Sequence, residues 1–162
     1  MNTRRLGACI FFLLLSVAAN AWNQNPAVTS PAPAQPELPE DPLGRSTPRG
    51  TVRGFLSAAG KEHKETASLY LDTRLKGESA ARLADQLFFV LNRGLRLQLN
   101  KISDQPEGSM LSAAEPYKDL IGRISSENGD VDVLVERIDR KDAGPIWLFS
   151  RKTLNAIPEL YD

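Results

Sequence analysis

The sequence predicts an α+β fold, with helices first and a small antiparallel sheet after them. Between residues 48 and 92 apolar side chains recur at helical spacing. From Gly94 onward the period shortens to two, with Leu95, Leu97 and Leu99 alternating with Arg96, Gln98 and Asn100. Asn128-Gly129, a strong hairpin dipeptide, then separates apolar runs at 121–125 and 131–138. Helices grouped ahead of antiparallel strands argue for helices packed on one sheet face.

The chain opens with a segment that reads as an export signal rather than as part of the fold. Arg4 and Arg5 give a positive start, and residues 6–19 are an apolar run of 14. The run ends in Ala19-Asn20-Ala21, the small-x-small pattern that signal peptidase accepts, so cleavage is expected before Trp22. A membrane-crossing helix needs about 20 apolar residues, which argues against an uncleaved anchor. Cys9 precedes most of the apolar run, whereas a lipoprotein cysteine follows it. Residues 22–40 form a polar spacer rich in proline, including Pro26, Pro31, Pro33, Pro36 and Pro39. Proline lacks an N–H and fixes φ, so this stretch favours extended conformations and stays out of a sheet. Residues 41–162 remain as one domain.

Within that domain Thr47-Pro48 marks a helix start, threonine as cap and proline at the first position. The first helix, residues 48–59, carries Val52, Phe55, Leu56 and Ala59, and its Gly50 and Gly54 allow close approach in the core. A second helix is predicted over 61–71. A third, capped by Ser79 and ending near Asn92, has a broad stripe of Leu83, Leu87, Val90 and Leu91 and is the strongest core helix. The alternating leucines at 95–99 predict a strand, and Asp104 to Gly108 a turn. On the second hairpin strand Val131, Val133 and Val135 are expected on one face, with Asp130, Asp132 and Leu134 on the other. Gly144-Pro145 introduces a short strand at 146–149. Ser150 caps a last helix through Ala156 that Pro158 is expected to stop.

Composition removes several classes of function. Loss of residues 1–21 takes away two of the 20 basic residues and none of the 20 acidic ones, leaving a net charge of −2. This balance gives no electrostatic reason to expect nucleic acid. Cys9 is the single cysteine, so the mature domain is expected to lack disulfides and thiolate sites. His63, the single histidine, lies in the charged stretch Lys61 to Glu65 and reads as a solvated side chain rather than a triad base. Zinc sites need several closely spaced His or Cys ligands. No phosphate loop or dinucleotide fingerprint occurs. Asp130 and Asp132 read as outward residues by a hairpin tip, without the remaining oxygens of a calcium loop. No catalytic, metal or cofactor residue is assigned, and the domain is expected not to be an enzyme. A hydrolase built on a dispersed carboxylate pair ranks lowest. Arg45, Arg49 and Arg53 recur every four residues, which is most often a solvated face; they are weak candidates for a partner contact.

Several segments in order carry a family resemblance. Asp41 to Val52 reads DPLGRSTPRGTV, Leu83 to Leu87 LADQL, Val90 to Arg93 VLNR, and Ile102 to Gly108 ISDQPEG. Ile121 to Ile124 reads IGRI, Val131 to Arg137 VDVLVER, Ile146 to Ser150 IWLFS, and Ile157 to Tyr161 IPELY. Together, over residues 41–162, they resemble the periplasmic N-terminal domain that precedes the membrane helices in some bacterial mechanosensitive channels of the small-conductance (MscS) family. The resemblance implies a non-catalytic periplasmic module of a channel used in ion and solute release. In that family, membrane helices and a pore follow the phrase resembling 157–161, whereas this sequence stops at Asp162. The expectation is therefore an accessory or sensor domain without the channel part, either a truncated channel protein or a free domain. It would contact a channel or envelope protein and meet the membrane only through that partner or a missing C-terminal region. The alternative is a free-standing periplasmic module that binds a small molecule or protein; Trp147 or Phe149 could line its pocket, although core packing is the expected job of both.

Overall fold

The computed structural model describes residues 41–109, 115–127, 129–140 and 144–161. The export run, the proline-rich stretch, Ala19, Ala21 and Asn128 lie outside them. Helix α1 (Pro48–Gly60) starts where Thr47-Pro48 predicts, the Gly50 N–H donating to Thr47 Oγ1 at 3.0 Å. Helices α2 (Lys64–Ser68) and α3 (Gly77–Gly94) follow, then a 3-10 turn over Leu99–Lys101. Strands β1 (Lys118–Ser126), β2 (Gly129–Arg140) and β3 (Gly144–Phe149) form one antiparallel sheet in the order β1-β2-β3, and α4 (Arg151–Tyr161) ends the fold. This is the α+β class predicted. No described helix is long and apolar enough to cross a membrane.

Four local expectations change for physical reasons. The second helix does not span 61–71, because Glu62 takes φ 60° and the His63 N–H returns to the Ala58 carbonyl, ending α1 in a turn. At its other end, residues 70–72 leave the helix to bond β3. Helix α3 begins at Gly77 after Lys76, ahead of the expected Ser79 cap, and runs past Asn92 to Gly94. No strand forms at 95–99: Leu95, Leu97 and Leu99 pack on the core while Arg96, Gln98 and Asn100 are exposed. The alternation is thus satisfied by an irregular segment laid against the core, without a ladder. Finally, α4 does not stop near Ala156 but passes through Pro158 to Tyr161. Ser150 caps it as predicted, accepting from the Thr153 N–H at 3.2 Å, and buried Leu154 and Ile157 hold it to the core.

The sheet has an irregularity that decides which residues face inward. Leu120 pairs with Leu134 and Gly122 with Val133, so Ile121 is an extra residue in β1. A bulge of this kind reverses the faces along its strand. Beyond it Ile124 faces the helices; before it that place falls to Asp119, opposite Val135. On β2, Val133 and Val135 join the core, as predicted. Leu134 lies on the other face with Asp130 and Asp132, as predicted, and is buried there, because that face also buries Ile146 and Leu148.

The core between helices and sheet is built around Phe55, Leu87, Leu91, Trp147 and Phe149. The Phe55 and Phe149 rings meet edge to face with centroids 4.9 Å apart. Burying one such ring contributes about 1.5–3 kcal/mol. Gly50 and Gly54 admit close neighbours, as their spacing suggested: a Cβ at Gly50 would strike the Gly44 carbonyl, and one at Gly54 the Tyr70 ring. Tyr70 is held in place, its hydroxyl donating to the Leu43 carbonyl at 3.0 Å.

Gly54→Ala is expected to cost about 1–3 kcal/mol through overpacking. In a Tyr70→Leu background the added cost should shrink, since the obstructing ring is gone. Urea unfolding of the four proteins in this cycle checks it, and strictly additive costs would remove the ring as the cause.

Candidate functional site

The three arginines of the four-residue repeat do different things. Arg45 precedes α1 and is buried. Its Nε and Nη2 donate to the Asp41 carboxylate at 3.1 and 2.8 Å, and its Nη1 to the Leu69 carbonyl at 2.7 Å. Its own carbonyl accepts from the Trp147 N–H at 2.7 Å. Arg49, half-buried on α1, donates from Nε and Nη2 to the Ile102 carbonyl at 3.0 and 2.8 Å and from Nη1 to Asp104 at 3.1 Å. Arg53, one turn on, is exposed. The repeat is therefore not a uniform solvated face. Arg45 is an internal anchor, Arg49 ties α1 to the 102–104 loop, and Arg53 alone presents an open cation.

The remaining sequence candidates also have defined places. Asp132 pairs with Arg123 at 2.7 Å, and Asp130 accepts from Ser125 at 2.8 Å, both on the exposed side of the hairpin. His63 is exposed just before α2. Trp147 and Phe149 are both buried in the core, the more expected of their two readings, and the Trp147 indole N–H donates to the Pro106 carbonyl at 3.0 Å. Among the described residues no group of three or more His, Cys, Asp or Glu is placed to hold a metal ion.

An exposed aromatic pair was not singled out from the sequence. Phe89 on α3 is 45 % exposed and Tyr161 on α4 is 42 % exposed. Their rings meet edge to face with centroids 5.2 Å apart, and the Arg93 guanidinium lies 6.0 Å from the Phe89 ring centre. The patch borders an open cleft of about 440 Å³ whose other walls include Ala59, Lys64, Asp85 and Phe88. The signal for it lies in the doublet Phe88-Phe89: adjacent helical positions point about 100° apart, so one ring turns away when the other faces the core. Tyr161 was hidden because α4 was expected to end before it. Paired exposed aromatics with a cation over one face suit the anchoring of a partner rather than the breaking of a bond.

No protein-family model, no curated protein and no solved structure matches this chain.

Arg45→Ala is expected to cost about 3 kcal/mol by leaving the Asp41 carboxylate buried without its counter-charge, held only by the backbone N–H of residue 45 at 2.8 Å. Arg53→Ala should stay within about 0.5 kcal/mol. The hydrogen bond from Arg45, first among the causes, holds the Asp41 carboxyl below its ordinary value of 3.8. A lowered folded-state pKa stabilises the fold above the unfolded value and loses that contribution as acid protonates the group. The stability gap between the parent and Arg45→Ala should thus be full at neutral pH and narrow below about pH 4. Urea titrations across pH 2–7, on the order of one per unit, read this directly; a gap independent of pH would break the assignment to Asp41.

Proposed function

We propose that residues 41–162 form a non-catalytic module that acts outside the cytoplasm by binding another protein. It serves as an accessory or sensor domain of a channel similar to the MscS family. The exposed pair Phe89 and Tyr161, braced by Arg93, is the observation that carries the reading. Large rings left on a surface are favourable to cover, at about 1.5–3 kcal/mol for each one fully buried. Their rigidity keeps the entropy lost on binding low. The export pattern at residues 4–21 and the ordered motifs across 41–162 support the compartment and the kind of partner. Arg53, exposed on α1, is the one member of the arginine repeat left open for a partner contact, where charge affects approach more than affinity.

Replacement of Phe89 by the photocrosslinker p-benzoylphenylalanine in native cells tests the reading. The expected product is an adduct, in the inner-membrane fraction, with a protein that carries an MscS-like pore. Phe89→Ser with Tyr161→Ser should abolish partner recovery while leaving the melting temperature nearly unchanged. A chain that stays uncrosslinked in the soluble periplasmic fraction would overturn the channel reading.

A further inference from the structure

The connection between α2 and α3 carries an exposed leucine, Leu75, at 48 % exposure. It lies in a tight turn, its N–H donating to Thr73 Oγ1 at 3.1 Å. Arg74 and Lys76, exposed on either side of it, make no ion pair among the described residues. The acids within residues 69–78 are already matched: Asp72 meets Arg151 at 2.9 Å and Glu78 meets Arg82 at 3.3 Å. No atom lies within 4 Å of where a Cβ would stand on Gly77, so this end of the turn faces open space. An aliphatic side chain is thus offered between two open cations.

The turn is braced at both ends. Leu71 bridges Phe149, the Asp72 N–H donates to the Phe149 carbonyl at 3.0 Å, and α3 begins at Gly77. A turn held in this way loses little freedom on binding. Arg74 and Arg151 also wall one cleft of about 400 Å³ with Thr73 and Asn155, a seat for a phosphate headgroup. The chemistry favours a lipid surface over an acidic protein. Protein hot spots are built from Trp, Tyr and Arg in pockets, and leucine is under-represented there. A bilayer takes an aliphatic side chain into its acyl margin, while Arg and Lys lay their stems beside it and keep their charges at the headgroups. Anionic headgroups then attract each cation near the surface.

We propose that the 73–76 turn docks on a phospholipid bilayer carrying anionic headgroups. Leu75 enters the acyl margin, and Arg74 and Lys76 meet the phosphates. One leucine and two cations give reversible attachment rather than a permanent anchor. The contact is independent of the channel reading, since it uses none of Phe89, Arg93 or Tyr161.

Vesicle flotation tests the proposal, with the chain purified without detergent from the cells that make it. Vesicles of equal parts phosphatidylcholine and phosphatidylglycerol should carry the protein at low salt, and about 0.5 M salt should release it. Leu75→Ser should weaken binding about tenfold. Arg74→Gln combined with Lys76→Gln should weaken it on the order of 30-fold. These side chains are exposed, so the melting temperature should stay nearly unchanged. A second readout uses an environment-sensitive dye in a Cys9→Ser background, which has no native thiol. On vesicles the dye should shift to the blue when attached at Leu75→Cys and not at Arg140→Cys. Arg140 pairs with Gly144, at the other end of β3 from Phe149. Failure to float, or equal flotation of parent and variants, overturns the proposal. So does binding that salt leaves unchanged, or a dye at 140 that shifts as much as one at 75.

Discussion

The outer edge of β3 is the constraint on which the rest of the domain depends. A sheet of three strands has two edges, and an open edge leaves N–H and C=O groups without partners. Here the chain closes β3 with two separate segments. Arg45 takes the Trp147 N–H on its carbonyl, while Tyr70 and Asp72 bracket Phe149, accepting from its N–H at 2.9 Å and donating to its carbonyl at 3.0 Å. Thr51 on α1 donates to the Trp147 carbonyl at 2.9 Å. The start of the domain, α1 and the connection from α2 to α3 thus converge on two residues of one short strand. The Arg45 side chain secures the first of these segments by joining Asp41 and the Leu69 carbonyl. With Cys9 as the only cysteine, no disulfide exists within 41–162 to share that work.

Features controlled by neighbouring residues were legible in the sequence, and features controlled by distant ones were not. Thr47-Pro48 starts α1, the apolar stripe of α3 is buried, and the runs around Asn128-Gly129 pair as a hairpin, because each depends on local geometry. The leucines at 95–99 carried a genuine period of two, yet periodicity reports which side chains turn inward and does not report whether a neighbouring strand supplies hydrogen bonds. Arg45 read as one member of a surface repeat, since its partners Asp41 and Leu69 come together only in the fold. Asp119 was harder still. One extra residue in β1 reverses inside and outside, and Lys118-Asp119-Leu120 contains no sign of the register shift that follows it.

The aromatic patch and Asp119 follow from the same distinction. Phe89 and Tyr161 come from helices far apart in sequence, and their meeting depends on α4 continuing beyond Pro158. The burial of Asp119 depends on the bulge, beside a 101–109 loop held by Arg49 through the Ile102 carbonyl and Asp104. Each depends on an element whose outline was readable but whose register was not. Many of the polar groups that fasten these elements are occupied within the domain, whereas the rings of Phe89 and Tyr161 are left exposed on its surface.

Pro158 has a mechanical consequence. Lacking an N–H, it cannot donate to the Leu154 carbonyl, and α4 loses one rung near its end. Upstream, Ser150, Thr153, Leu154 and Ile157 fix the helix to the sheet and to α3. Downstream, Leu160 packs on the margin of the core and Tyr161 rests against Phe89. A load applied at Tyr161 therefore meets the missing rung at Pro158 before it meets the capped first turns, and the half-buried Leu160 is the contact that must be given up before the aromatic patch comes apart.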